Sequence, residues 1–321
     1  MKSKYFSKLK EKKVKCELCP HICIINDQKL GLCKNRKNED GTLKSKSYGY
    51  LSSISIDPIE KKPLFHFYPK SETLSIGGYG CNLLCDFCQN WQISTSEVKK
   101  DNFYKPKEII NLAKSKNTNI ISYTYNEPLI NYEYVYKTSK AAKKNDLKNV
   151  IVSNGFINKE PIKEISKYID AANIDLKGDN NFYKNITGGL IKPVKDTIKI
   201  LKKNDTWIEI TFLLIEGLND NIKFLAELRD FIEEIGDETP LHITRYFPRY
   251  KLKNDKTTVN RMLEVKKYFE EKLKYVYLGN VNLKKSQDTY CPKCKEIVIK
   301  RGYYQTEIIN NNCISEIDGF F

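Results

Sequence analysis

From about Leu74 to Leu278, short apolar runs alternate with longer stretches in which apolar residues recur every three or four positions. The short runs predict strands over Thr73–Ile76, Asn119–Thr124, Asn149–Ser153, Ala172–Asp175, Trp207–Ile215 and Leu241–Arg245. The longer stretches predict helices over Lys107–Lys116, Ile130–Lys144, Lys159–Tyr168, Pro193–Lys203, Ile222–Ile235 and Val259–Lys274. In the first of these, Ile109, Ile110, Leu112 and Ala113 share one side and lysines the other. Pro106 sits at its start, where a missing N–H costs little. Strand–helix units repeated in this way predict an α/β fold, with a parallel sheet and right-handed crossovers. An open doubly wound sheet and a partial barrel both satisfy the pattern, and both put a site at the carboxyl ends of the strands. The flanks lack this rhythm. Residues 1–70 read as a cysteine-rich N-terminal module, 71–280 as the core, and 281–321 as a cysteine-containing tail.

Composition narrows the picture. The 321 residues suit one large domain with small appendages, and 40% hydrophobic with 12% aromatic residues suffices for a core. No apolar run approaches the roughly 18 residues of a membrane span. Met1-Lys2-Ser3-Lys4-Tyr5 starts no apolar leader, so the cytoplasm is the expected compartment. The net charge of +15 invites a nucleic-acid reading. Against it, arginine supplies six of the 55 basic residues, and the lysines are scattered. Arginine is the better residue for bidentate phosphate and guanine contacts, so a solvated lysine surface is expected, with neither nucleic acid nor membrane as partner.

The ten cysteines cluster as Cys16, Cys19, Cys23 and Cys33; Cys81, Cys85 and Cys88; and Cys291, Cys294 and Cys313. In a reducing compartment such groups point to metal or redox sites. The central one is the sharpest. A strand ending at Ser75-Ile76 runs through Gly77-Gly78-Tyr79-Gly80 into a C-x3-C-x2-C loop. Three thiolates on one short loop suit an iron–sulfur cubane with one iron left open; a structural zinc with its fourth ligand elsewhere is the plainer alternative.

This motif, with Phe87 before its last cysteine, resembles the radical S-adenosylmethionine superfamily. The resemblance implies a partial (β/α)6 barrel and a [4Fe–4S] cluster on Cys81, Cys85 and Cys88. It also implies that S-adenosylmethionine chelates the open iron and is split by one electron, giving a 5′-deoxyadenosyl radical that abstracts hydrogen from a substrate. The later strand ends supply further candidates. Glu127, in Tyr125-Asn126-Glu127-Pro128, would accept from the cofactor's ammonium; as plain sequence, Asn-Glu-Pro also suits a helix start. Ser153-Asn154-Gly155 resembles a turn of pyruvate formate-lyase activating enzymes. Asp175-Leu176-Lys177 resembles their Asp-x-Lys, with Asp175 and Lys177 on one side of an extended strand. Glu216-Gly217-Leu218-Asn219-Asp220 is a turn placed to flank the adenine. His242, near the end of the sixth strand, suits a ribose contact or a proton donor, and equally a hydrogen-bonded core position.

Longer strings carry a closer resemblance: Ser55–Phe67, Cys88-Gln89-Asn90-Trp91-Gln92-Ile93-Ser94, Tyr246-Phe247-Pro248, Tyr277-Leu278-Gly279-Asn280 and Tyr290-Cys291-Pro292-Lys293-Cys294. They are similar to the radical enzyme of the AmmeMemoRadiSam system, whose name reflects association with Memo-type and AMMECR-type proteins. Cys16, Cys19, Cys23 and Cys33 also fit that pattern and suit zinc or an auxiliary iron–sulfur cluster. Cys291 and Cys294 look like half a zinc ribbon. The other half has Cys313, with Asn310 where its partner would fall, so a lost or a three-thiolate site is expected there. Two other functions stay open: an activase that makes a glycyl radical on a partner enzyme, and a zinc-ribbon nucleic-acid-binding protein. Either radical reading needs an external electron donor.

Overall fold

The computed structural model describes residues 1–302 and 305–320. Its core is an eight-stranded sheet formed by β1 (Ser53–Pro58), β2 (Glu72–Gly77), β3 (Ile120–Tyr123), β4 (Lys148–Ser153), β5 (Ala171–Asp175), β6 (Trp207–Leu214), β7 (Leu241–Arg245) and β8 (Val276–Gly279). The strands lie side by side in chain order. β1 is antiparallel to β2, and every later pair is parallel. The helices between them are α1 (Pro106–Ser115), α2 (Tyr132–Lys143), α3 (Lys159–Ser166), α4 (Ile191–Lys203), α5 (Ile222–Ile235) and α6 (Val259–Glu270). Each apolar stripe read from the sequence faces the sheet. In α1, Ile109, Ile110 and Ala113 are buried, and Glu108 Oε2 accepts from the Lys105 N–H at 2.6 Å. Asn221 and Thr258 cap α5 and α6 by accepting from the N–H groups three residues on, those of Phe224 and Arg261.

Two strands go beyond the six expected. Val276–Gly279, four residues long, is a seventh parallel strand on β7. Ser53–Pro58 zips onto β2 over six positions, so the sheet starts ahead of the boundary drawn at residue 70. The tail is also more regular than expected. Thr289–Tyr290, Ile297–Arg301 and Thr306–Ile308 form a small antiparallel sheet. Among the described residues, no helix is long and apolar enough to cross a membrane.

The segment after β1 floors the barrel at the amino ends of its strands. Ile59, Leu64 and Phe67 pack on Ile120, Val150 and Ala171. The Phe65 and His66 N–H groups both donate to Glu209 of β6 at 2.8 Å. The Phe65 ring stands edge-on to His242 with centroids 4.6 Å apart, and lies 4.8 Å from Tyr277. Arg301 from the tail sits over Phe65 and donates to its carbonyl at 2.6 Å.

The N-terminal module combines a three-stranded antiparallel sheet with the hairpin Arg36–Glu39/Thr42–Ser45. It docks on α2 through a buried ion pair, Arg36 with Glu133.

Candidate functional site

The cysteine loop leaves β2 at the carboxyl end of the sheet, and its shape is fixed from three sides. Asn126, after β3, accepts from Gly78 N at 2.9 Å and donates to Gly80 O at 2.8 Å. Gly80 has φ +85, and a Cβ there would lie 2.2 Å from the Cys33 carbonyl oxygen, so only glycine fits. Leu84 N donates to Thr187 O and Asp86 N to Ile186 O, in a π-helical turn at Tyr183–Thr187. Such turns are frequent at functional sites. From the far side, Lys251 N and Leu252 N both donate to Asp86 O at 2.9 Å.

Cys81, Cys85 and Cys88 are half-buried. Burial pushes the Cys85 thiol up to about 12 and the Cys81 thiol well above its ordinary value; Lys177 opposes the shift at Cys85. Cys81 and Cys85 stay protonated unless a metal replaces their protons. Donors are already aimed at one of them. Leu83 N lies 3.4 Å and Asn154 Nδ2 3.6 Å from Cys81 Sγ. Three soft ligands on one loop, with N–H donors to sulfur, fit an iron–sulfur cluster.

The next three strand ends converge on this loop. Glu127 is buried, and its carboxylate accepts from Leu129 N, from Ser153 Oγ and from Asn154 N at 2.8–3.1 Å. Burial raises its pKa to about 7, against those hydrogen bonds. It therefore ties β3 to β4, and an arriving cation would return it to full charge. Ser153 and Asn154 hold the turn after β4, and Asn154 Nδ2 also donates to Asn82 Oδ1 at 2.9 Å. Asp175, at the end of β5, accepts from Lys177 Nζ at 2.8 Å, which keeps Lys177 protonated despite burial. Phe87 packs with Phe182, Ile215 and Tyr246 as an apolar wall beside Cys85. In the turn after β6, Asn219 donates to Lys177 O and Leu213 O and accepts from Ile215 N.

His242 does not join them. It is the second residue of β7, not near its end, and lies in the floor of the barrel. Its Nε2 meets Glu209 Oε2 at 2.6 Å, and both side chains are at most 3% exposed. Its pairing with Glu209 and its packing on Phe65 give it the hydrogen-bonded core position. Asn126, Asn82 and Asn219 are the residues that reading by motif passed over. Asn126 and Asn219 stood inside quoted motifs, and Asn82 inside the cysteine loop itself.

The other cysteines form two groups of different shape. Among the described residues, Cys291, Cys294 and Cys313 are the group of three ligand atoms that all lie within 4.8 Å of one another, with Cys294 and Cys313 sulfurs 3.6 Å apart. That spacing suits one metal ion at Zn–S distances near 2.3 Å. Asn310 is no fourth ligand to it: its Oδ1 accepts from Asn312 N and its Nδ2 donates to Glu296. Cys16, Cys19, Cys23 and Cys33 instead ring a pocket shared with His21, Arg36 and Asn82.

Comparison with known proteins agrees with this architecture. Residues 75–228 match the family model described as the radical SAM superfamily. An uncharacterized protein of Methanocaldococcus jannaschii is 43% identical over 311 residues, 95% of this chain and 93% of that protein. The 4-hydroxyphenylacetate decarboxylase activating enzyme of Clostridium scatologenes is 27% identical over 118 residues, 36% of this chain and 38% of that enzyme. The crystal structure of Streptococcus suis SuiB bound to S-adenosylmethionine has a TM-score of 0.52 at 17% identity, covering 63% of this chain and 49% of SuiB. That likeness is one of fold. With the family match spanning β2 to α5 and starting at the strand that delivers the three cysteines, the chain belongs to the radical SAM superfamily.

Proposed function

We propose that this chain cleaves S-adenosylmethionine reductively and uses the resulting radical to take a hydrogen atom from a substrate. The observation that carries this is the convergence of polar groups from three successive strand ends on one loop of three cysteines. Cys81, Cys85 and Cys88 would hold a [4Fe–4S] cluster, which when bound supplies the single electron for that cleavage. The protein's own part is orientation. Glu127 lies buried at the edge of the site, where a carboxylate suits an ammonium group by charge-assisted hydrogen bonding. Ser153 and Asn154 fix its carboxylate through two donors, the Ser153 hydroxyl and the Asn154 N–H. The Asp175–Lys177 pair offers an anion and a cation to the polar end of an amino acid. The wall of Phe87, Phe182, Ile215 and Tyr246 excludes water from the region where a radical would be quenched.

The finer reading is an enzyme of the AmmeMemoRadiSam type, with Memo-type and AMMECR-type proteins as associates. The strings Ser55–Phe67 and Cys88–Ser94 support it. A glycyl-radical activase is the second reading. The 27% likeness to an activating enzyme favours it, as do the exposed Leu84, Trp91, Leu190 and Phe247 in and beside the cysteine loop, apolar groups that a partner protein could cover. The test is anaerobic reconstitution with iron and sulfide, then addition of S-adenosylmethionine and dithionite. 5′-Deoxyadenosine that forms with this chain and not with Cys85→Ala is the expected result. Loop cysteines that take up zinc and no iron would end the reading.

A further inference from the structure

The N-terminal cysteines form a site that the radical chemistry does not use. Cys16, Cys19, Cys23 and Cys33 come from the antiparallel sheet and the loop before Arg36, and their sulfurs share one pocket. They are not drawn in to the spacing of the tail's three cysteines, where sulfurs sit 3.6 Å apart; they surround an open space. A tetrahedral zinc pulls four sulfurs close around one ion, whereas a cubane cluster holds them apart on separate irons.

A second observation points to an anionic occupant. Arg36 lines the pocket, is 1% exposed, and gives its two terminal nitrogens to Glu133 and Ile130 O. Its Nε is buried without a partner. An orphaned guanidinium N–H in a nearly sealed site is costly unless an acceptor meets it, and a sulfide or thiolate of a cluster is such an acceptor.

The pocket also abuts the cysteine loop of the barrel. His21 Nε2 lies 2.7 Å from Asn82 O, and Asn82, itself a wall of the pocket, accepts from the Asn154 amide that also reaches Cys81 Sγ. We propose that Cys16, Cys19, Cys23 and Cys33 hold a second iron–sulfur cluster. It accepts one electron from a low-potential one-electron donor and passes that electron toward Cys81. The second half of this statement rests on the proposed radical function; the metal content does not.

The experiment uses the full chain carrying Cys81→Ala, Cys85→Ala and Cys88→Ala, reconstituted without oxygen. Because the barrel loop can then hold nothing, a failed radical reading leaves the result untouched. The expected outcome is ~4 iron and ~4 sulfide per chain, with an electron paramagnetic resonance signal after dithionite reduction. Adding Cys19→Ser and Cys23→Ser should abolish both. Protein without iron, or with zinc that these two substitutions remove, would overturn the proposal. If the multiple variants fail to fold by circular dichroism, Mössbauer spectra of the chain changed only at Cys19→Ser and Cys23→Ser decide instead: loss of ~4 iron against the unsubstituted chain supports the N-terminal cluster, and unchanged iron refutes it.

Discussion

Glu133→Gln is the sharpest test of how the N-terminal module is attached. Arg36 and Glu133 are 1% and 3% exposed, and the guanidinium contacts both carboxylate oxygens at 3.0–3.2 Å. Lys4 N adds a fourth contact to Glu133 Oε1 at 2.7 Å. Glutamine keeps the shape but removes the charge and one acceptor. Arg36 cannot release its proton, so it stays as a buried cation facing an amide. Breaking a buried pair from one side costs about 3–5 kcal/mol. For a chain of this length, each kcal/mol lowers Tm by roughly 2 °C, which gives a loss of about 6–10 °C by calorimetry. Hydrogen exchange should also speed up at the Lys4 amide and over the hairpin that carries Arg36. The paired change Arg36→Met with Glu133→Leu should recover most of the loss, since two apolar side chains replace a buried ion pair at little cost. A drop in Tm under 2 °C, or no recovery in the pair, would refute the account.

Three further outcomes are expected. Burial lowers the His66 pKa from 6.5 to about 4, so between those values the unfolded chain binds a proton that the folded chain does not. Stability should therefore fall as pH drops from 6.5 to 4, by about 3 kcal/mol in all, and His66→Gln should flatten that slope in urea titrations. Gly80→Ala combines a left-handed backbone with a collision against Cys33 O, and should cut the iron held after reconstitution even though no ligand is changed. Cys313→Ser should remove ~1 zinc per chain in metal analysis and leave iron unaffected; a chain that binds no zinc before the change would show that the three tail thiols are free.

Much of the core was legible because its periods are strong. The helix at Ile222–Ile235 has the bounds its pattern predicts, and the strand ends carry the expected polar residues. What escaped was set by partners far away in sequence. Nothing around Arg36 announces Glu133, 97 positions later. His242 sits on a five-residue strand, and a shift of a few residues decides which end of a barrel it serves. The strand Val276–Gly279 is too short to show a period, and its pairing with β7 is what makes it a strand. As plain sequence, Ser55–Phe67 holds a lysine pair beside a proline-bounded apolar run. Its meaning is tertiary, because it crosses beneath six strands.

That floor has a mechanical consequence. The sheet has two free margins, β1 and β8, that never pair with each other. Phe65 and His66, a few residues past β1, are stapled to Tyr277 on β8, His66 Nε2 lying 2.6 Å from the tyrosine hydroxyl, and Arg301 and the Phe320 N–H fasten the same stretch from outside. The staves are thus hooped at the base by side chains, while at the rim the loop after β7 is buckled to the cysteine loop by Lys251 N and Leu252 N on Asp86 O and by Trp91 stacked on Tyr250. The two margins that never pair as strands are therefore fastened at both ends, and the positions of the strands that carry Glu127, Ser153 and Asp175 are kept from below and above.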